Sequence, residues 1–401
     1  MTPGAAQGDR VPSGPRIVHI DHTSAAGGAE YALARMLQAS PPWLPMLLLP
    51  EKPTTGPYAT LSTVPVRHSG VAQHAGASSG GTRVMVDASA RLLAQAVAVR
   101  THPGFRTADL VDANTARAAA YGAMAARTSN VPFVVHLRDM TDPDALGRFG
   151  FATMTRLVLP RADGVIANSR ATLASAAPWV RPHSATAVIP SATGLTHGRA
   201  RGAHSGPLVV GMLARIDPWK GQELLLDAFA QALRDGSARL QFAGAPLFGH
   251  TDFDERLRTR AEQFGIADRV DFLGHVDDVQ TLLSSWDIAV NFSTRPEPLG
   301  QNVLQYLAAG LATVVADEGG PAEWVTDGGN GLRAAPRDIR SLAAALDRLA
   351  SSPQLRERLG AAASVTPGLL DDHEVALAHS DFYADVLAGR QLTPRTRPAR
   401  S

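Results

Sequence analysis

The chemistry that this sequence could perform is concentrated in two loops of its second half. Residues 293–310 read STRPEPLGQNVLQYLAAG, follow an apolar strand and open a helix. Glu297 lies in the turn, and Gly300 would let a ligand approach the backbone closely at the helix start. Because the first N–H groups of a helix are free, they can bind an anion or sugar hydroxyls. We expect Glu297 to face the same ligand; the alternative is a solvated turn carboxylate.

Residues 211–221, GMLARIDPWKG, form the second loop, again between a strand and a helix. Arg215 and Lys220 are five residues apart in a turn that contains Pro and Gly. Two cations at the carboxyl end of a strand suit a diphosphate, since Arg binds oxygens bidentately and Lys acts as a point charge. The alternative is that both residues are ordinary surface cations. This alternative is weakened because the chain has only two lysines among its 38 basic residues, and one of them lies in this loop.

Two glycine pairs also follow predicted strands. Gly27 and Gly28 precede Glu30 at the start of the first helix, where they would let a ligand reach the helix N-terminus. Gly319 and Gly320 could offer backbone N–H groups to a phosphate. Taken alone, each pair is equally typical of a tight turn.

Alternating strands and helices must position these loops. Apolar strands are predicted at 16–20, 46–49, 108–114, 131–136, 162–169, 185–190, 207–213, 239–244, 269–274, 287–293 and 312–317. Helical segments separate them, among them 83–100 and helices that end near 127, 233, 264, 285 and 309. Such alternation predicts parallel sheets wrapped by helices, with ligands beyond the carboxyl ends of the strands.

The predicted fold class is α/β, with two doubly wound, Rossmann-like domains facing a central cleft. Residues 191–206 are small and polar without any period, which is typical of a linker. The predicted order is a disordered leader (1–15), an N-terminal acceptor-side domain (16–190), the linker (191–206), a C-terminal nucleotide-sugar-binding domain (207–370), a final helix (371–388) and a disordered tail (389–401). The final helix is apolar at Val375, Leu377, Phe382, Tyr383 and Leu387.

Composition excludes several classes of function. The absence of cysteine excludes disulfides, thiolate zinc sites and cysteine catalysis. A formal net charge of +1 argues against a general nucleic-acid binder. No apolar run is long enough to span a bilayer, and the leader lacks the apolar core of a secretory signal. We therefore expect a cytoplasmic protein, with peripheral membrane contact left open.

Charge divides unevenly along the chain. Residues 1–190 carry 17 basic and 11 acidic residues, a balance of +6, whereas residues 191–401 carry 21 and 26, a balance of −5. An N-terminal half that meets an anionic acceptor would explain the split. Chance in an Arg-rich sequence explains it equally well.

In their order and spacing, these motifs resemble the retaining glycosyltransferases of the GT-B fold, in particular glycosyltransferase family 4 (group 1). The resemblance runs from about residue 16 to about residue 388 and is strongest over 209–332. The matching motifs are Gly27-Gly28, Asn168-Ser169, Arg215 with Lys220-Gly221, Gly274-His275-Val276, residues 297–300 (EPLG) and residues 319–323 (GGPAE).

The resemblance implies a hexosyltransferase that moves a sugar from a nucleotide-diphosphate donor to a hydroxyl acceptor with retention, without a metal or other cofactor. Arg215 and Lys220 would be catalytic because they neutralise the leaving diphosphate, and Glu297 would bind sugar hydroxyls. The implied donor-binding residues are Gly27, Gly28, His136, His275, Val276, Leu299, Gly300, Gln301 and Gln305.

The sequence departs from the family at one position. The family has two Glu separated by seven residues, but the second position here is Gln305. Gln keeps a carbonyl acceptor for the ribose hydroxyls and loses the charge. Two alternatives therefore stand beside sugar transfer: another GT-B enzyme such as a nucleotide-sugar epimerase, and a non-catalytic sugar-nucleotide-binding protein.

The role of His136 and the acceptor also stay open. The resemblance brings His136 near the donor sugar, whereas a strand-end His bonded to a neighbouring carboxylate such as Asp139 is the alternative. The acceptor could be a lipid-linked polyol phosphate, a growing polysaccharide or a small natural product such as an aminocyclitol. Residues 41–81, rich in Pro and Gly, could select it.

Overall fold

The computed structural model describes residues 14–25, 27–73, 82–195, 206–234, 236–246 and 250–392. These residues form two compact units. The first comprises the described residues up to Asn168, then Leu173–Ile189 and the residues from Asp372 onward. The second comprises Ser169–Thr172 and Pro190–Asp371.

The first unit is built on a seven-stranded parallel sheet in the order β3-β2-β1-β4-β5-β6-β7. Its strands are β1 (Arg16–Ile20), β2 (Leu44–Leu49), β3 (Val66–His68), β4 (Leu110–Ala113), β5 (Phe133–Leu137), β6 (Gly164–Ala167) and β7 (Ala185–Val188). The central strands β4, β5 and β6 are buried along their whole length. Their near-continuous Val, Ile, Leu and Ala side chains are what a parallel sheet covered on both faces requires.

Among the described residues, seven α-helices lie wholly or partly in this unit. They are α1 (Gly28–Gln38), α2 (Thr82–Thr101), α3 (Pro103–Thr107), α4 (Ala116–Ala126), α5 (Pro143–Thr153), α6 (Arg170–Ala176) and α14 (Asp372–Leu392). Alanines dominate the buried residues of α4, which allows this helix to pack closely on β5 and α2. Helix α5 is kinked at Gly147, which adopts non-helical φ and ψ angles.

The final helix, α14, belongs to the first unit and packs against α1 and β7. A Cβ atom at Gly164 would lie 2.8 Å from Val386 Cγ2 and 3.0 Å from the Phe382 ring, so a glycine in β6 lets this helix approach the sheet. The predicted apolar face needs one correction. Leu377 is exposed, because it points away from the face formed by Val375, Phe382 and Val386.

The second unit is built on a six-stranded parallel sheet in the order β10-β9-β8-β11-β12-β13. Its strands are β8 (Val209–Leu213), β9 (Arg239–Ala243), β10 (Val270–Gly274), β11 (Ile288–Asn291), β12 (Ala312–Ala316) and β13 (Leu332–Ala334). Its helices are α7 (Gln222–Ala232), α8 (Thr251–Gln263), α9 (Val279–Ser284), α10 (Gln301–Ala308), α11 (Gly319–Trp324), α12 (Ile339–Ala350) and α13 (Pro353–Ser364).

Each sheet reverses its strand order once, between β1 and β4 in the first unit and between β8 and β11 in the second. In open parallel sheets this reversal opens a crevice at the carboxyl ends of the two strands, and ligands bind there. The predicted α/β class with two doubly wound domains is confirmed. The strand order further identifies the place in each domain where a ligand would bind, which the sequence alone did not give.

The limits of the compact units differ from the predicted domain limits. Residues 169–172 group with the second unit although they lie within the predicted N-terminal domain. At the start of the predicted linker, Thr193 is buried and its N–H donates to Leu370 O at 3.1 Å, so residues 191–195 are packed. Residues 196–205 of the linker, 1–13 of the leader and 393–401 of the tail lie outside the described residues. Helix α14 continues to Leu392, beyond the predicted limit of 388.

Across the described residues, no helix combines the length and the apolar character that crossing a bilayer requires.

Candidate functional site

An ion pair between a half-buried lysine and a buried glutamate lies at the strand-order reversal of the second unit. Lys220 ends the short 3₁₀ turn Pro218–Lys220 that follows β8, and Glu297 lies in the loop that follows β11. These two strands are hydrogen-bonded neighbours. Lys220 Nζ donates a hydrogen bond to Glu297 Oε1. The structure thus brings together the two residues that the sequence singled out from separate loops, 77 positions apart.

The Glu297 carboxylate is only 4% exposed and accepts hydrogen bonds from three side chains. Besides Lys220, Ser293 Oγ donates to Oε1 at 2.7 Å and Asn291 Nδ2 donates to Oε2 at 3.1 Å. Burial raises the pKa of Glu297, but the Lys220 charge and these hydrogen bonds outweigh burial and hold the pKa below its ordinary value. Glu297 is therefore ionised at neutral pH and can accept hydrogen bonds from hydroxyl groups.

Gly221 fixes the position of Lys220. Its φ of +82° is the left-handed conformation that only glycine adopts without strain. A Cβ atom at this position would lie 1.9 Å from Phe292 O, so the turn after β8 sits directly on the end of β11. Thr294 N donates to Trp219 O at 2.8 Å and joins the two loops. The position of the ion pair is thus set by backbone contacts.

Trp219 is a cation-binding surface that the sequence analysis missed. Lys220 Nζ lies 3.9 Å from the centroid of its ring, Arg295 Cζ 4.4 Å and Arg215 Cζ 5.8 Å. Arg215 Nε also lies 3.1 Å from Asp217 Oδ2. Contact with an indole face orients cations at a modest energetic gain. Three cations around one ring make this end of the sheet suited to a polyanion. The signal in the sequence was Trp219 next to Lys220.

A polar network behind Glu297 was also missed. Asn291 Nδ2 donates to Asn302 Oδ1 at 2.9 Å, and Asn302 Nδ2 donates to Leu213 O at 2.9 Å. Tyr306 OH accepts from Leu213 N at 2.7 Å. The network joins β8, β11 and α10, so residues of three elements together hold the Glu297 carboxylate in position. Single amides and a tyrosine in apolar segments gave no pattern by which to recognise it.

Helix α10 begins at the EPLG turn. Gly300 is its N-cap, and Leu299 is buried beneath it. Gln301 Nε2 donates to Ala192 O at 2.7 Å, and Gln305 Nε2 donates to Thr193 O at 3.2 Å. Both side-chain NH₂ groups therefore bind the protein's own backbone. Gln305 makes a contact that Glu could not make, since an ionised carboxylate has no donor. The predicted hydrogen bond from a ribose hydroxyl would go to the side-chain carbonyl oxygen of Gln305.

His275 and Val276 follow β10 at the edge of the second sheet. The His275 side chain is 67% exposed, with Nε2 3.1 Å from Asp277 Oδ1. Val276 is half-buried and packs against the apolar cluster of Leu283 and Trp286. These two predicted donor-binding residues thus lie on an exposed loop.

The remaining predicted residues lie in the first unit. Gly27 is the N-cap of α1 in an extended conformation, and Gly28 is exposed, with space where a Cβ would be. His136 is buried at the end of β5, and its Nε2 lies 3.1 Å from Nε2 of His379 on α14. The alternative of a neighbouring carboxylate such as Asp139 is wrong, because the last helix supplies the partner.

The strand-order reversal of the first unit holds a second buried cluster, around Asp21. Its Oδ2 accepts from Tyr58 OH at 2.6 Å and from Asn114 Nδ2 at 2.7 Å, and its Oδ1 accepts from Thr115 Oγ1 at 2.9 Å. Burial is opposed by the neighbouring His22 and by these donors, and the pKa of Asp21 stays below its ordinary value.

Glu30, at the start of α1, faces this cluster. Burial and the Asp21 charge raise the pKa of Glu30 to about 7. Asp21, His22 and Glu30 place potential metal-ligand atoms within 4.8 Å of one another. Both Asp21 oxygens already accept hydrogen bonds from the protein, so Asp21 is satisfied within the protein's own hydrogen-bonded network.

Comparison with known proteins gives a consistent result. Residues 197–365 match the family described as Glycosyl transferases group 1. The putative glycosyltransferase EpsD of Bacillus subtilis is 34% identical over 149 residues, 37% of each chain. A D-inositol 3-phosphate glycosyltransferase of Stackebrandtia nassauensis is 31% identical over 210 residues, which cover 50% of this chain and 47% of that protein. The matches thus span less than half the length of these curated relatives.

Similarity to solved structures extends over both units. Anabaena Alr3699/HepE, solved in complex with UDP and glucose, is 25% identical with a TM-score of 0.74 over 92% of this chain and all of that chain. The sucrose-phosphate synthase of Thermosynechococcus elongatus has a TM-score of 0.75 at 19% identity, over 93% and 99% of the two chains, and shows the fold alone. The two Rossmann-like domains have the GT-B fold.

Proposed function

We propose that this chain, which resembles the group 1 glycosyltransferases, transfers a hexosyl group from a nucleotide-diphosphate sugar to a hydroxyl of an acceptor. The observation that carries the proposal is the Lys220–Glu297 pair at the reversal of the second sheet, within the matching residues 197–365. A cation and an ionised carboxylate placed side by side suit a ligand that has phosphates at one end and hydroxyls at the other.

The bond that breaks joins the anomeric carbon to a diphosphate oxygen, and negative charge develops on the leaving phosphate. Arg215 and Lys220 neutralise that charge, and Arg295, on the same indole ring, adds a third cation. Because the protein supplies these cations, we propose that the reaction needs no metal. Glu297 accepts hydrogen bonds from the sugar and orients it.

The new bond joins the acceptor oxygen to the anomeric carbon. The acceptor proton passes to a leaving phosphate oxygen, so attack and departure occur on the same face and the configuration is retained. This route needs no protein nucleophile. Glu297, paired with Lys220 and bonded to Ser293 and Asn291, is stabilised as an anion that binds rather than as one that attacks.

The first donors to test are uridine diphosphate sugars, because the similar structures of Alr3699/HepE hold UDP and UDP-glucose. Cyclitols and their phosphates belong in the acceptor panel, since several similar proteins are D-inositol 3-phosphate glycosyltransferases. Aminocyclitols, polyol phosphates and glycan fragments complete it. A cytoplasmic location and peripheral membrane contact stay predictions.

The experiment combines mass spectrometry of the products with NMR of the new glycosidic bond, with and without EDTA. We expect an acceptor that gains one hexose, an anomeric configuration equal to that of the donor, and a rate that EDTA leaves unchanged. An inverted product would overturn retention, and loss of rate in EDTA would overturn independence from metals. Donor binding without any product would instead favour a non-catalytic binding protein, and an epimerised donor would favour an epimerase.

A further inference from the structure

We propose that His379, on the final helix α14, is a positioning residue that fixes His136 as the tautomer with its proton on Nε2. The consequence of this tautomer for sugar transfer rests on the proposed function. The tautomer itself concerns only two histidines of the first unit and can be tested without any substrate.

The hydrogen bonds around His379 determine both tautomers. His379 Nδ1 lies 2.7 Å from Val375 O, one turn earlier on the same helix. A carbonyl oxygen can only accept, so Nδ1 of His379 carries the proton and Nε2 of the neutral ring is an acceptor. His379 Nε2 lies 3.1 Å from His136 Nε2. His136 must therefore donate this bond, which leaves its own Nδ1 without a proton.

Both rings are neutral in this arrangement. Burial, with smaller contributions from Arg138 and His19, lowers the pKa of His379 to about 4. Burial also places the pKa of His136 well below its ordinary value, and Arg138 acts in the same direction. The Asp112 carboxylate, which raises the pKa of His379, is already engaged by His19 Nδ1 at 3.2 Å and by Tyr383 OH at 2.7 Å. The tautomeric argument therefore holds across neutral pH.

Packing holds His379 in place. One turn further along α14, Tyr383 bonds to Asp112 and meets the Trp43 ring edge-on, with centroids 5.3 Å apart. The Tyr383 ring also lies 6.0 Å from the His379 ring. His379 itself is 1% exposed. A histidine at the centre of a packed helix face, bonded through both nitrogens, can hold its neighbour in one orientation.

The consequence concerns what His136 can recognise. Within the described residues, His136 Nδ1 makes no hydrogen bond to the protein. An unprotonated Nδ1 accepts a hydrogen bond from a hydroxyl but offers nothing to a phosphate or carbonyl oxygen. A ligand that reaches His136 would therefore be recognised through a hydroxyl, and a ligand that lacks this hydroxyl should bind more weakly.

The structural test is long-range ¹H–¹⁵N NMR of the histidine rings, with His136 assigned from a His136→Gln spectrum. We expect a protonated Nε2 and a bare Nδ1 for His136 at pH 7. His379→Phe keeps a ring but removes the acceptor and should give a mixture of tautomers. His379→Gln supplies a carbonyl acceptor and should restore the Nε2–H form. His373→Gln, an exposed change on the same helix, is the control.

The kinetic test uses the same variants, each checked for a cooperative thermal transition. We expect kcat/KM for sugar transfer to fall about tenfold in His379→Phe, the effect of one lost hydrogen bond, and to recover partly in His379→Gln. A proton on Nδ1 of His136 in the wild type, or an unchanged tautomer in His379→Phe, would overturn the inference. The expected tautomers without sugar transfer would overturn the proposed function alone.

Discussion

At the scale of single residues, Glu297 shows that the sequence predicted part of the site but not all of it. Its type and its place between a strand and a helix predicted a ligand-facing carboxylate. Its partner Lys220 was found independently, because lysine is so rare in this chain. Asn302, Trp219 and His379 were not found, since their roles come from hydrogen bonds and ring contacts that no local spacing encodes.

Lys220→Ala should destabilise the protein strongly. It leaves Glu297 buried without its countercharge, and breaking a buried pair in this way costs about 3–5 kcal/mol. The contribution of Glu297 is present above its unfolded pKa of 4.5 and is lost as pH falls through its lower folded value. The difference in unfolding free energy between the two proteins, measured by urea denaturation, should therefore shrink below pH 4.

Lys52→Ala is the matched control for Lys220→Ala, since Lys52 is exposed and is the other lysine of the chain. It should change the unfolding free energy by less than about 0.5 kcal/mol. Equal effects of the two substitutions would contradict the ion pair.

Glu30→Gln should stabilise the protein at alkaline pH. The folded pKa of about 7 lies above the unfolded value of 4.5, so the wild type loses stability as pH rises between these values. An amide avoids the charge, and we expect a gain of roughly 1–3 kcal/mol at pH 8 with a smaller gain at pH 5. Thermal denaturation at both pH values measures it; a gain that is independent of pH would mean that Glu30 is not held near Asp21.

At the scale of elements, periodicity predicted most strands and helices because buried parallel strands are short continuous apolar runs between punctuating loops. It missed β3 and β13, which have three residues each and carry polar side chains. Such short edge strands exist through pairing with β2 and β12, which a local pattern does not show. It also misassigned Leu377, since only the packing of α14 decides which face is buried.

The turn that carries Lys220 gives a test at this scale. Gly221→Ala adds the cost of a left-handed alanine, about 1–2 kcal/mol, to a direct overlap with Phe292 O. Gly265→Ala is matched, because Gly265 has a φ of +68° and no atom near its missing Cβ. We expect Gly221→Ala to be at least about 2 kcal/mol more destabilising by urea denaturation and to reduce transfer. Equal costs would show that the loop moves freely.

At the scale of the whole molecule, the sequence predicted two doubly wound domains, and the GT-B class and the resemblance to group 1 glycosyltransferases are confirmed. The strand orders explain why the chemistry-bearing residues fall where they do. Asp21 and Asn114 follow the two strands at one reversal, and Lys220 and Glu297 follow those at the other. Strand order arises from long-range pairing, so a pattern of elements alone could not provide it.

The central claim is that the Lys220–Glu297 pair serves the transfer of a sugar from a nucleotide-diphosphate donor. Glu297→Gln keeps the size of the side chain and removes its charge, so it is the most direct probe. The measurement is the rate of hexose incorporation into acceptor, by mass spectrometry, for wild type and for folded Glu297→Gln, with the donor Kd from calorimetry. We predict transfer by the wild type and at least about a hundredfold loss in the variant. Equal rates in the two proteins, at equal donor affinity, would contradict the account.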